Sequence, residues 1–256
     1  MKLLDITTKQ LKETLKYMVI VVVTFIILQS LVVVMHEFTH STVAWLLGYM
    51  KSPLGIVWGN PIMMTGWDEG VHYSKYFSSV HLAAEAIIGA SPLLVHTIII
   101  TLGLILMQTK MILEKKWLFH FLYWFVIANF MEIIAYITMR AFANNGDVGH
   151  FNHGLNISPW FVFIIGNLAI VFGLYVLFAK ILPQMYAVFA PGNRLTQWVI
   201  LFMTCFLLFI WGSGLRVVLY VRPDPQWMFG LLGFVAFGAV LIACRPAVAQ
   251  TESRSE

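Results

Sequence analysis

Charged side chains are scarce in this sequence. Only 11% of the 256 residues are charged and 60% are hydrophobic, whereas about a quarter of the residues in soluble domains are charged. This shortage excludes a water-soluble globule and indicates a chain whose side chains mostly face lipid or other helices. The length suits one membrane domain of about six helices.

Cysteine is also rare. Cys205 and Cys244 both lie within apolar segments, which argues against a disulfide framework and against a cysteine-based metal site. The basic residues form short clusters rather than a stripe, so the net charge of +4 indicates no nucleic-acid partner. No cleavable signal peptide is evident, because residues 1–16 are polar and the apolar run that follows is too long for a signal-peptide core.

Long apolar segments dominate the rest of the chain. They predict an all-α polytopic membrane protein with about six transmembrane helices, each needing about 20 apolar residues. The predicted spans are residues 17–47, 80–107, 117–140, 160–182, 197–220 and 227–244. Basic residues are concentrated in the segments that lie on the same side of the membrane as the N-terminus. We therefore expect both termini in the cytoplasm.

One loop has a different character. Residues 54–67 contain two short apolar runs separated by Gly59, Asn60 and Pro61, which predicts a short β-hairpin after the first span. The expected organisation is then a polar N-terminal segment (1–16), a membrane core (17–150), three additional transmembrane helices (151–246) and a disordered tail (247–256).

The first predicted helix carries a metal-site motif near its end, His36-Glu37-Phe38-Thr39-His40. Residues four apart share one face of a helix, so both imidazoles can bind one metal ion. The pattern is that of zinc hydrolases, in which the glutamate acts as general base toward zinc-bound water. Because buried polar groups are costly in a membrane, their presence indicates a functional site.

A catalytic zinc needs a third protein ligand. Asp147 is the leading candidate, because it follows the third predicted span and the topology brings it to the same side of the membrane as His36 and His40. His150 and His153 lie nearby. Each of these two histidines is an alternative ligand, an outer partner that supports the metal site without binding the metal, or a solvated loop residue.

Further polar residues gather in the same half of the predicted bundle. His81 and Glu85 lie at the start of the second span and Glu132 lies in the third. They either pair with one another or with Arg140, or they support the metal site from outside or contact the substrate. We expect His96 and His120, by contrast, to be structural.

At these residues the chain resembles the site-2 protease family of intramembrane zinc metalloproteases. The motif at residues 36–40, the stretch Gly89-Ala90-Ser91-Pro92-Leu93-Leu94-Val95-His96 and Asp147 are similar to the family's zinc motif, its Gly-Pro-containing stretch and its third ligand. The expected hairpin also fits. The resemblance covers residues 17–150, which would make this region a metalloprotease-like core.

The resemblance implies a function for each of these residues. His36, His40 and Asp147 would bind Zn²⁺, and Glu37 would activate the water that hydrolyses a peptide bond in or beside a membrane helix. The substrate would be a membrane protein or membrane peptide. The edge of the hairpin would pair with an unwound substrate strand.

Two other functions remain open on the sequence. Glu37-x-x-His40 and Asp147-x-x-His150, with Glu85 and Glu132, also suit a di-metal membrane oxidase or desaturase, which would contain two irons instead of one zinc. The chain could also be an inactive protease-like subunit of a membrane complex, although its intact Glu37 argues against that function.

Overall fold

The structure is a computed structural model that describes residues 7–60, 66–80, 82–215 and 227–246. Five helices in this part of the chain are long and apolar enough to cross a membrane: Thr8–Leu46, Ala83–Leu106, Lys116–Thr138, Pro159–Phe189 and Arg194–Leu215. The expectation of an all-α, multi-pass membrane protein is therefore confirmed at this level.

The sixth predicted span is represented by a shorter helix, Trp227–Ala243, of 17 residues. Residues 216–226, which include the end of the predicted fifth span, lie outside the described residues, as does the predicted tail at 247–256. The count of six spans therefore stays a prediction.

We number the α-helices in chain order. They are α1 (Thr8–Leu46), α2 (Tyr73–Tyr76), α3 (Ala83–Leu106), α4 (Lys110–Leu113), α5 (Lys116–Ile133), α6 (Gly146–Leu155), α7 (Pro159–Val176), α8 (Leu182–Phe189), α9 (Arg194–Cys205) and α10 (Trp227–Ala243). Wider, π-helical turns prolong α5, α7 and α9; they are Ile134–Thr138, Leu177–Ile181 and Phe206–Leu215.

Helix α1 begins earlier than the predicted first span. Thr7 and Gln10 form a reciprocal capping box, which satisfies backbone N–H groups at the helix start. Much of the predicted polar segment therefore extends this helix. At 39 residues it is about 58 Å long, which is longer than the hydrocarbon core is thick. The motif at residues 36–40 lies about 9–15 Å before its C-terminal end.

Helix α5 is the centre of the bundle. Its side chains Tyr123, Trp124 and Phe130 are among the largest that are fully buried, and α5 packs against both α1 and α3. Helix α7 lies at the periphery, with exposed side chains such as Leu168 and Phe172. Exposed apolar residues on an outer helix are expected of a surface that faces lipid.

Helix α6 lies unusually close to α3, because glycines remove the side chains between them. A Cβ atom on Gly89 would lie 2.7 Å from the carbonyl oxygen of Asp147. A Cβ atom on Gly154 would lie 2.6 Å from the backbone nitrogen of Ala86. Small residues allow such close approach of two backbones. These two contacts hold both ends of α6 against α3.

The loop after α1 is anchored to the motif and folds back on itself. Ser41 donates a hydrogen bond to the carbonyl of Pro53 over 2.6 Å. Val57 and Asp68 form one antiparallel bridge, with N–H···O distances of 2.7 and 3.3 Å. No strand forms among the described residues of this loop, and residues 61–65 lie outside them. The predicted hairpin therefore stays a prediction.

Candidate metal centre

Three side chains from two helices converge at one point. His36 and His40 project from α1, and Asp147 projects from the first turn of α6. The Nε2 atoms of the two histidines are 3.2 Å apart, and Oδ2 of Asp147 lies 3.1 Å from the first and 3.3 Å from the second. The structure thus brings together the three residues that the sequence proposes as ligands, and such a group could hold a metal ion.

The triangle of these three atoms has the dimensions of a metal site. Ligand atoms about 2.0–2.1 Å from a tetrahedral zinc ion are about 3.3–3.4 Å apart. The observed edges of 3.1, 3.2 and 3.3 Å are close to that spacing. The three atoms therefore fit one face of a tetrahedron, with the fourth position left for water or substrate.

Hydrogen bonds on the far side of each imidazole determine where its proton lies. Nδ1 of His40 is 2.8 Å from the carbonyl oxygen of Ile88, which can only accept, so His40 carries its proton on Nδ1. The Nε2 atom of His40 therefore has a free lone pair. A metal-binding histidine characteristically makes such a bond from its other ring nitrogen.

The proton on His36 follows from a longer chain of contacts. Asn129 donates from Nδ2 to the carbonyl of Phe125 over 2.7 Å, so its Oδ1 faces Nδ1 of His96, 2.7 Å away. His96 must donate there, and its Nε2 then accepts from Nδ1 of His36 over 3.0 Å. Nε2 of His36 is thus left with a free lone pair as well.

Three acceptor atoms consequently face one another inside the protein. Oδ2 of Asp147 is buried and makes no hydrogen bond, although such atoms are normally satisfied. A cation held between the three atoms would accept from the two lone pairs and from the carboxylate oxygen at once, so the arrangement favours a bound metal ion.

Glu37 lies beside this group at a small cavity. The cavity has a volume of about 170 Å³ and is lined mainly by polar side chains, among them His36, Glu37, Glu132 and Arg140. Tyr136 stacks on the ring of His36 at 5.0 Å. Such a cavity is large enough for several water molecules, each of which occupies about 30 Å³ in the liquid.

The alternative ligands His150 and His153 are placed elsewhere. Their Nδ1 atoms bond to the two carboxylate oxygens of Glu85, at 2.7 and 2.5 Å. Glu85 on α3 thereby holds α6 along one face. These contacts make His150 and His153 outer partners of the helix that carries Asp147. His81, the other proposed partner of Glu85, lies outside the described residues.

Glu132 lines the cavity and is hydrogen-bonded to α1. Its Oε1 accepts a hydrogen bond from Nε2 of Gln29 over 2.7 Å, and both side chains are buried. The guanidinium of Arg140 lies over the ring of Tyr136, 5.4 Å from its centroid. Glu132 and Arg140 thus surround the cavity near Glu37 without joining the three convergent atoms.

Some neighbours of the site could not be recognised from the sequence. His96, expected to be structural and away from the site, contacts His36 directly. Tyr73, whose ring stacks on that of His150 at 3.6 Å between centroids, belongs to no recognisable sequence motif. Burial raises the pKa of the Tyr73 phenol and the nearby Glu69 carboxylate acts in the same direction, so the phenol stays neutral.

Comparisons with known proteins give no relative for this chain. No family model, no curated protein and no solved structure matches it.

Proposed function

We propose that the protein is an intramembrane zinc metalloprotease. The observation that carries this proposal is the meeting of His36, His40 and Asp147 as three acceptor atoms at tetrahedral spacing, beside a buried glutamate and a polar cavity. Two imidazoles, a carboxylate and an open position are the ligand set of hydrolytic zinc sites.

Each residue has a distinct part in the proposed reaction. Zinc bound to His36, His40 and Asp147 would supply Lewis acidity and lower the pKa of water. Glu37 would take a proton from the attacking water and return it to the leaving amine. The cavity beside Glu37 would hold water that the surrounding membrane lacks.

The loop after α1 is the proposed docking element for substrate. Trp67 lines the cavity, and Trp58 contacts Phe38 of the motif at 6.5 Å between ring centroids. Leu54 and Trp58 are exposed. We propose that this loop pairs through its backbone with an unwound segment of a membrane helix and so presents a peptide bond to the site.

The orientation in the membrane is also part of the proposal. Basic residues are concentrated at the end of the bundle where α1 begins, which favours cytoplasmic termini. The site lies near the opposite end of α1 and would then be in the outer half of the membrane. From there the path for water to the metal is short.

A cleavage assay tests this function. The full chain in lipid nanodiscs, incubated with labelled single-span peptides, is expected to cut within or beside the span, because the motif lies within a helix long and apolar enough to cross the membrane. A chelator should stop cleavage and added zinc should restore it. Mass spectrometry of the fragments shows the cut bond. Cleavage that persists in chelator, or activity that requires two irons, would contradict the proposal.

A further inference from the structure

Helix α3 contains a proline, Pro92, that alters the backbone hydrogen bonding beside the motif. Pro92 has no backbone N–H, so it cannot make the helical hydrogen bond to the carbonyl four residues earlier, which is that of Ile88. That carbonyl instead accepts from Nδ1 of His40 over 2.8 Å and from the hydroxyl of Ser91 over 2.8 Å. The proline thus leaves an acceptor available for a residue of the motif.

His96, one turn further along α3, orients His36 by a hydrogen bond in the same way. It accepts from Nδ1 of His36 and is itself oriented by Asn129 on α5. His96 is fully buried, so water does not compete for these contacts. Both imidazoles of the motif are therefore oriented from α3.

We propose that Pro92 and His96 are positioning residues that set the tautomers of His40 and His36 for metal binding. The inference rests on the proposed zinc site and deepens it. It explains why Nε2 of each histidine, rather than Nδ1, faces Asp147. It also gives the Gly89–His96 stretch a physical role, because Gly89 admits the backbone of α6 and Pro92 releases the carbonyl of Ile88.

Pro92→Ala and His96→Leu are expected to weaken zinc binding roughly 10–100-fold, the range for outer partners of metal ligands. Pro92→Ala restores a backbone N–H that competes with His40 for the carbonyl of Ile88. His96→Gln retains an acceptor for His36 and should recover most of the affinity. Chelator competition on the purified full chain measures each value.

Stability of the zinc-free protein separates positioning from a structural role. Zinc-free Pro92→Ala should unfold at the same or a higher temperature, because alanine favours a helix and regains a hydrogen bond. Pro159→Ala, at the start of α7, and His120→Leu, at a buried histidine bonded to Tyr17 and Thr24, serve as controls that keep zinc affinity.

The outcomes distinguish this inference from the proposed function. If the unaltered chain binds one zinc and both Pro92→Ala and His96→Leu bind it as tightly, Pro92 and His96 have no positioning role. If the unaltered chain binds no zinc, the proposed function itself fails.

A second, independent inference concerns the end of the bundle where α1 begins. A cavity of about 340 Å³ lies there between α1, the start of α5 and the connection from α8 to α9. Its lining combines charged with apolar side chains, including Glu13, Lys16, Lys116, Ile20, Trp117 and Phe189. The ammonium of Lys116 lies over the ring of Phe189, 4.7 Å from its centroid.

The surroundings of this cavity are strongly basic. The described basic residues at this end include Lys9, Lys12, Lys16, Lys110, Lys115, Lys116, Arg194 and Arg245, whereas the described acidic ones are Glu13 and Glu114. Trp117, which lines the cavity, is half exposed, and Val19 and Leu118, which neighbour lining residues in the sequence of α1 and α5, are exposed as well. Exposed apolar side chains thus accompany the charged ones at this end of the bundle.

We infer that this cavity binds the headgroup of an anionic phospholipid. Lys16 and Lys116 would contact the phosphate, and the acyl chains would lie along the exposed apolar residues. A basic pocket between membrane helices is suited to such headgroups. A soluble phosphate ester would satisfy the lysines but would leave the adjoining apolar surface unused.

Native mass spectrometry of the full chain from phosphatidylcholine nanodiscs containing phosphatidylglycerol tests this inference. Each lysine contributes about fivefold to binding near an anionic surface, so Lys16→Gln with Lys116→Gln should weaken phosphatidylglycerol retention about 30-fold. Lys51→Gln with Lys75→Gln, at the opposite end, is the matched control and should retain the lipid. Soluble glycerol phosphate should bind far more weakly than phosphatidylglycerol.

Equal lipid retention by the cavity variant and the unaltered chain would overturn the inference. An equal loss in the control pair would do so too, because it would indicate general attraction to an anionic surface. Glycerol phosphate binding as tightly as the lipid would show a soluble ligand instead.

Discussion

Glu37→Gln is expected to reduce cleavage of a membrane peptide about a thousandfold, within the range for loss of a general base, while zinc stays bound. Glutamine has nearly the same shape but cannot accept a proton at neutral pH. Glu37 is buried beside His36 and lines the polar cavity, so water in that cavity would lie within its reach. Cleavage rates and zinc content of the same nanodisc samples measure both effects.

Glu114→Gln is the matched control for this change. Glu114 follows α4 at the opposite end of the bundle, so its replacement should alter neither quantity. Normal cleavage by Glu37→Gln would remove the proposed base. Loss of zinc together with activity would instead assign Glu37 to metal binding.

Asp147→Asn is expected to weaken zinc binding more than about 100-fold, beyond the range for outer partners of metal ligands. The amide retains the size of the side chain but loses the negative charge that a metal cation would bind. Oδ2 of Asp147 is buried and without a hydrogen bond, so the unaltered site gains most from a cation. Chelator competition measures the affinity.

Asp68→Asn provides the comparison for Asp147→Asn. Asp68 is an exposed residue of the loop after α1, where its carboxylate accepts from the backbone of Gly70 over 2.7 Å. Its replacement should leave zinc affinity unchanged. Equal affinities of Asp147→Asn and the unaltered chain would mean that Asp147 is not a ligand.

The group of three convergent residues was largely predictable because its parts are either local or topological. His36 and His40 share a helical face through their spacing alone. Asp147 could be selected because alternation of spans brings residues that follow the first and third helices to one side. The overall membrane character follows from composition in the same way.

Which side chain each residue of the site contacts could not be read from the sequence. The contacts of His96 with His36 and of Glu85 with His150 depend on the rotation and depth of α3 against its neighbours. Packing sets both quantities, and no local pattern encodes them. Pro92 was visible in the sequence, but its effect appears only when the carbonyl of Ile88 is seen to face His40.

Metal analysis of the detergent-purified full chain beside His36→Ala and Asp147→Ala tests the central claim most directly. We predict about one zinc per unaltered chain, as in mononuclear catalytic sites, and almost none in either variant. Zinc lost only from His36→Ala would exclude Asp147 as a ligand. Two irons per chain, or no metal at all, would contradict the proposed zinc protease.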